Sequence, residues 1–362
     1  MARSPSTWPQ TRDACWRARS VSLAGRRDVC SAFGGDTGRI RDCPGQRVAK
    51  ELDETRILMA ESKQSDVQLV ERLRQHVDVL AELIGPRHVG RPKALESAAT
   101  YVERQFSALG DEVERQTYDV EGTTVANLVV ERSGERSPDS IIVLGAHYDS
   151  IPATPGADDN ASAVAVLIEV ARLLRGRHGQ RTIRFVAFAC EEPPHFYTDT
   201  MGSQIYARRC RTRSERVVGM LCLEMVGFFT DEPRSQATPQ GIPRWLRWLF
   251  PHRGQFLAAV GNLRSLSLAW RFHWGFKRGS RLPLYSVCLP EVIHEIRLSD
   301  NSSFWDQGYP ALMLTDTSFL RNPHYHQSSD RADTLDYDRM AQVTCGVAGG
   351  VVRLVGMADH GR

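Results

Sequence analysis

The chain has no apolar stretch near the roughly 20 residues that a membrane-spanning helix requires. Its N-terminus carries arginines but no apolar core after them, so it does not read as a secretory signal. Acidic residues in the same segment argue against an Arg-rich transit peptide. Its eight cysteines include no CxxC pair and no regular spacing, which speaks against a zinc ribbon or a disulfide scaffold. A formal net charge of only +3 gives no case for nucleic-acid binding. Internal repeats are absent. These absences lead us to expect a cytoplasmic protein with reduced cysteines and no stable membrane association; secretion stays open, as does the oligomeric state.

What is present is enough for a full α/β core, since 362 residues with 41% hydrophobic content can fill one large domain or two small ones. Residues 1–62 are rich in Arg, Ser, Gly and Asp and show no lasting periodicity, so they read as a disordered extension. An alternative is sequence upstream of a start near Met59. Order is expected from Asp66, where Val67, Val70, Leu73, Val77, Leu80 and Leu83 recur at helical spacing until Gly85-Pro86. A second helix is expected over Ala94–Leu109, and strands near Glu112–Tyr118 and Val125–Glu131. Ile141–Ala146 is a continuous apolar run, the pattern of a strand covered on both faces. Helix Ala161–Leu174, strand Thr182–Ala189, helix Met201–Arg209 and strand Val217–Leu223 follow. This alternation predicts a mainly parallel sheet with right-handed crossovers. The rhythm breaks between about 230 and 290, a segment rich in Pro, Gly, Arg and Trp that reads as an insertion. We take it as a lid over the ligand edge of the sheet, with packing or an oligomer contact as alternatives. A membrane-surface helix is disfavoured because Pro251 and Gly254 interrupt its short apolar face. Strand Tyr309–Thr315 and helix Tyr337–Val352 close the domain, which is expected over 63–362.

Ligand-type residues end three successive apolar runs: His147, the pair Glu191-Glu192, and Glu224. Parallel α/β sheets gather functional groups outside the carboxyl ends of their strands. One such residue would read as structural, but three in register, with Asp158 and His326 added, read as a site. Zinc accepts imidazole nitrogen and carboxylate oxygen, and a catalytic site leaves room for water. Two ions would need one shared carboxylate, two histidines and two further carboxylates, which leaves one acid to move protons. The mixed N/O set suits zinc or cobalt better than calcium or magnesium. Cys190, beside the pair, reads as an inert buried thiol because no activating histidine adjoins it in sequence.

The runs Gly145-Ala146-His147-Tyr148-Asp149-Ser150, Pro155-Gly156-Ala157-Asp158-Asp159-Asn160-Ala161-Ser162 and Glu191-Glu192 resemble the M28 family of zinc peptidases, relatives of aminopeptidase Y and bacterial leucyl aminopeptidase. Ser299-Asp300-Asn301, Gly308-Tyr309-Pro310-Ala311, and His326 ahead of Asp333-Thr334-Leu335 extend the match from about Asp66 to the C-terminus, apart from the insertion. The resemblance implies an α/β fold: a three-layer αβα sandwich around a mixed, mostly parallel sheet, of the zinc-exopeptidase, phosphorylase/hydrolase-like kind. It implies an aminopeptidase acting on peptide substrates with two Zn2+ ions per chain, for which Co2+ or Mn2+ could substitute. Asp158 would bridge the ions, with His147 and Glu224 completing one and Glu192 and His326 the other. Glu191 would be the general base, and Asp149 would accept a hydrogen bond from the His147 imidazole and fix its tautomer. A cis peptide is expected between Asp158 and Asp159. Two departures stand out: Glu224 occupies a position where some relatives have Asp, and Arg331 follows Asp330 where many have Thr. His324 rivals His326 as a ligand, but His326 has the family's spacing to Asp330. Other readings on this fold are a glutaminyl cyclase-like acyltransferase, whose relatives commonly use one zinc, and a non-catalytic binding protein, which would typically have lost ligands.

Overall fold

A computed structural model of the chain describes residues 66–239, 245, 248 and 250–357. The expected N-terminal extension lies outside the described residues. Residues 66–77 are α-helical and continue into a π-helical stretch, Asp78–Ile84; together they form α1. Gly85 stops it with φ 72°, a conformation glycine adopts without a Cβ penalty.

The order continues α2 (Pro92–Ala108), β1 (Val113–Val120), β2 (Thr123–Arg132), β3 (Ser137–His147), α3 (Ala163–Leu173), β4 (Arg181–Phe188), α4 (Gly202–Thr212) and β5 (Arg216–Glu224). Then come β6 (Leu257–Asn262), α5 (Leu266–Gly279), β7 (Leu284–Leu289), α6 (Asn301–Asp306), β8 (Ala311–Thr315) and α7 (Tyr337–Val355). The strands form one sheet in the order β1-β2-β4-β3-β5-β8-β6-β7. Its centre, β4-β3-β5-β8, is parallel throughout, while β1-β2, β2-β4 and β8-β6 pair antiparallel.

Alternation along the central strands explains the layers. Ile142, Leu144 and Ala146 of β3 enter the apolar cluster that also holds α2, α3, α5 and α7 side chains. Ile141 and Val143, one residue out of phase, enter a second cluster with Tyr206 and Ala207 of α4 and Phe304 of α6. Both pleat faces are therefore dry, and the run must be apolar at every position. The result is the expected three-layer αβα sandwich.

The segment expected as an insertion is different from that reading. Residues 257–289 hold β6, α5 and β7, which extend the sheet beyond β8. In α5, Leu268, Ala269, Phe272 and Phe276 are buried while Trp270 and Trp274 face out, and that exposed aromatic pair obscures the amphipathic pattern. Side chains of β6 and β7, with described residues on either side of them, line the ligand edge.

Candidate metal centre

Because β3, β4, β5 and β8 run parallel, their carboxyl ends share one edge of the sheet, and the loops leaving them converge there. β3 ends at His147, β4 runs out through Cys190 to Glu191 and Glu192, and β5 ends at Glu224. The connection from β3 to α3 passes through a kinked turn, Ala157–Ser162, in which Asp159 and Asn160 leave helical geometry. Three residues near the centre, Cys190, Met225 and His326, hold positive φ angles of 59°, 47° and 56°. Such backbone is costly for non-glycine residues and concentrates at functional sites.

Asp159, not Asp158, stands between the two histidines. Its Oδ1 lies 3.5 Å from His147 Nε2 and its Oδ2 lies 3.2 Å from His326 Nε2. His147 Nε2 is also 3.3 Å from Glu224 Oε2 and 3.7 Å from Glu191 Oε2, and His326 Nε2 is 3.4 Å from Glu192 Oε2. Two groups of donor atoms result, each within 4.8 Å: His147 with Glu191 and Glu224, and Asp159 with Glu192 and His326. The expectation that Asp158 bridges is corrected. Its Oδ1 accepts the Gly227 N–H at 2.9 Å and its Oδ2 accepts from Asn322 Nδ2 at 2.7 Å, so both oxygens are committed on the far side of the turn. Burial, then the charge of Asp316, pushes the Asp158 carboxyl well above the usual range. The cis peptide likewise joins Asp159 to Asn160, one residue later than expected.

Asp149 lies 3.4 Å from His147 Nδ1, and its two oxygens accept the backbone N–H groups of Glu191 and Glu192, each at 3.1 Å. One carboxylate thus ties the β3 loop to the β4 loop. Ser299 donates to Glu224 Oε2 at 2.6 Å. His324 turns away, its Nδ1 paired with the Ser329 hydroxyl at 2.9 Å, while the His326 ring stacks on Tyr325 at 3.8 Å.

Three further residues carry the site. Arg87 is fully buried and donates to the carbonyls of Tyr148, Pro155 and Gly156 at 2.6, 2.6 and 2.8 Å. It holds both ends of the loop between His147 and Asp159. Asp330 accepts the backbone N–H groups of Asp158 and Asp159 at 2.8 and 3.2 Å, fixing the turn from the other side. Asp300 is buried with neither carboxylate oxygen hydrogen-bonded, and burial pushes it up to about 7. The spacing to His326 pointed to Asp330, and Asp300 falls in a motif of the family resemblance. Arg87 had no signal in sequence, because its partners are carbonyls.

The electrostatics suit a cation. Asp149, Asp159, Glu191, Glu192, Glu224 and Asp300 are six buried carboxyl groups, faced by two imidazoles and the Arg87 guanidinium. Burial pushes Glu191 well above the usual range and Glu192 up to about 8, with neighbouring acids adding to both. His147 is raised against its burial chiefly by Glu191 and Glu224, and His326 to about 10 by hydrogen bonds to Asp159 and Glu192. Both ring nitrogens of His147 and Glu192 Oε1 are buried without a hydrogen-bond partner. Orphaned donor atoms of mixed N/O type, crowded with like charge, fit divalent ions of the zinc class. Cys190 belongs to no such group; burial, with Asp149, pushes its thiol up, as expected of an inert thiol.

The model of peptidase family M28 matches residues 127–250, which span His147, Asp159, Glu191, Glu192 and Glu224. Protein YfbL of Escherichia coli (strain K12) is 37% identical over 286 residues, covering 76% of this chain and 86% of its own. The chain belongs to peptidase family M28. It is a metallopeptidase, a hydrolase. Leucine aminopeptidase 1 of Trichophyton equinum is 27% identical over 279 residues, covering 72% of this chain and 67% of the fungal one. In fold, BSAP, a zinc aminopeptidase from Bacillus subtilis, aligns at a TM-score of 0.62 and 16% identity over 81% of this chain and 96% of its own. Among the described residues, no helix of this M28 peptidase is long and apolar enough to cross a membrane.

Proposed function

We propose that this M28 peptidase is an aminopeptidase that uses two zinc ions and Glu191 as its general base. The observation that carries this reading is Asp159, with one oxygen toward each histidine. His147 and Glu224 would hold one ion, Glu192 and His326 the other, and Asp159 would be shared between them. When bound, such a pair supplies Lewis acidity, lowering the pKa of water and polarising a carbonyl.

The remaining steps belong to the chain. Glu191, whose proton affinity burial raises well above the ordinary carboxylate range, takes a proton from the attacking water. It then returns that proton to the leaving amine. Asp149 orients the His147 ring and fixes the backbone of the Glu191-Glu192 pair, so the base cannot drift from the reacting water. Beside Glu224 opens a cavity of about 290 Å3, walled largely by apolar side chains that include Phe256, Val260, Tyr285, Met313 and Tyr325. It fits the side chain of an apolar N-terminal residue.

The test is Glu191→Gln with zinc counted in the same preparation. Turnover of aminoacyl p-nitroanilides and dipeptides should fall by about 10²–10⁴-fold while two zinc ions per chain remain. Apolar N-terminal residues should be preferred, and acetylated peptides should be refused. Unchanged turnover would remove Glu191 from the mechanism. A count of one zinc, with cyclisation of N-terminal glutamine in place of hydrolysis, would move the protein to acyl transfer.

A further inference from the structure

The opposite end of the sheet carries a second, differently charged cleft. Its cavity, about 310 Å3, is lined by Arg181, Arg216, Arg264 and Arg271 with Ser137, Ser140 and Ser267, over a floor of Ile142, Leu268 and Leu354. No Asp or Glu lines it. Ser137, Arg181 and Arg216 begin β3, β4 and β5, whose far ends hold the metal centre. From Arg216 to Glu224 is nine residues of strand, about 26 Å.

Several arginines elsewhere in the fold are neutralised by acids, and these are not. Arg115, Arg132, Arg184, Arg209, Arg297 and Arg339 each meet one or two carboxylates. Among the described residues, Arg216, Arg264 and Arg271 form no ion pair, and Arg181 gives one N–H to the Leu354 carbonyl at 2.7 Å. Arg181 loses proton affinity through burial and then through the charges of Arg271 and Arg216, so the cluster repels itself. The net charge of +3 on 362 residues means that overall basicity does not produce it. The 14-residue helix α5 also begins here. Arg264 stands in the turn before it, and Ser267 in its first turn, at the positive end of the helix dipole.

We propose that this cleft is a binding site for a soluble oligophosphate anion, carried either by a free polyphosphate or by a nucleotide. Guanidinium forks pair with two oxygens of one group, which a halide cannot offer, and four of them together suit the several charges of an oligophosphate better than the single charge of a carboxylate. Three hydroxyls can donate to the oxygens that remain. The bound anion would join the starts of β3, β4 and β5 to α5, on the far side of the sheet from the metal centre.

The test is titration calorimetry of zinc-loaded, full-length protein with inorganic tripolyphosphate, ATP, and vesicles containing a phosphoinositide. Zinc content is measured before and after, because polyphosphates chelate. The wild type should bind tripolyphosphate and ATP saturably, more weakly as salt rises, and should melt at a higher temperature when they are present. Arg216→Gln combined with Arg264→Gln removes two exposed, unpaired charges, so the fold and the peptidase activity should be kept. This variant should bind about tenfold more weakly or worse, and lose the thermal shift. Arg271→Gln, made separately, should do the same. Equal binding by variant and wild type would overturn the proposal, since chelation at the metal centre would then account for it. So would no saturable binding, or binding to the vesicles alone.

Discussion

At the residue scale, two adjacent aspartates have opposite duties. Asp159 is the carboxylate between the histidines, while Asp158 spends both oxygens on Gly227 and Asn322. Asp159→Ala should therefore abolish zinc retention, and peptidase activity with it. Asp158→Asn should retain zinc, and should cost about 1–3 kcal/mol because an amide must face a donor. Metal analysis and denaturant unfolding of the two variants decide it; zinc lost from the Asp158 variant and kept in the other would reverse the assignment. Sequence located His147, the Glu191-Glu192 pair and Glu224 because apolar strand runs end at them. It chose Asp158 over its neighbour Asp159, wrongly, since the turn Ala157–Ser162 has no period from which to read direction. Arg87 was invisible for a related reason: its carbonyl partners leave no residue-type signature.

At the element scale, the misread segment shows what hides a strand. β6 and β7 are six residues each, too short for alternation to declare itself, and the aromatic outer face of α5 masks its buried stripe. What the sequence does carry there is glycine. Gly275 of α5 faces Gly349 and Gly350 of α7, and a Cβ on Gly275 would come within 2.6 Å of the Gly349 carbonyl oxygen and 2.8 Å of Gly350 Cα. Both are backbone atoms that cannot swing aside. On an open helix surface Gly→Ala would stabilise by about 0.5–1 kcal/mol. Gly275→Ala should instead destabilise by about 1–3 kcal/mol, because it pushes two packed helices apart. Chemical denaturation gives the sign directly, and a stabilised variant would show that the helices have slack. These helices pack on the same sheet that carries the metal centre at one edge, so the loss should appear in stability before it appears in zinc content.

At the scale of the whole molecule, a buried acid far along α3 from the metal turn links the first helix to the core. Glu169 is buried and accepts from Arg72 Nε at 2.8 Å and Arg172 Nε at 2.8 Å, with His76 Nε2 at 3.1 Å. Burial alone would raise its pKa, but the hydrogen bonds from His76, Arg72 and Arg172 overcome that and bring it down to about 2, against an ordinary 4.5. The folded state therefore holds this proton less tightly than the unfolded chain does. Its contribution to stability is present in full above about pH 4.5 and is lost as the pH falls toward 2. A shift of that size corresponds to about 3 kcal/mol. The wild type should lose that increment between those pH values, over and above what its other acids lose. Glu169→Gln should be less stable at pH 7, where two arginines face a neutral amide, and its unfolding free energy should fall less steeply below pH 4.5. Urea midpoints across that window compare the two slopes. Parallel curves would mean that the network holds α1 and α3 together by packing, with no net contribution from the charge on Glu169.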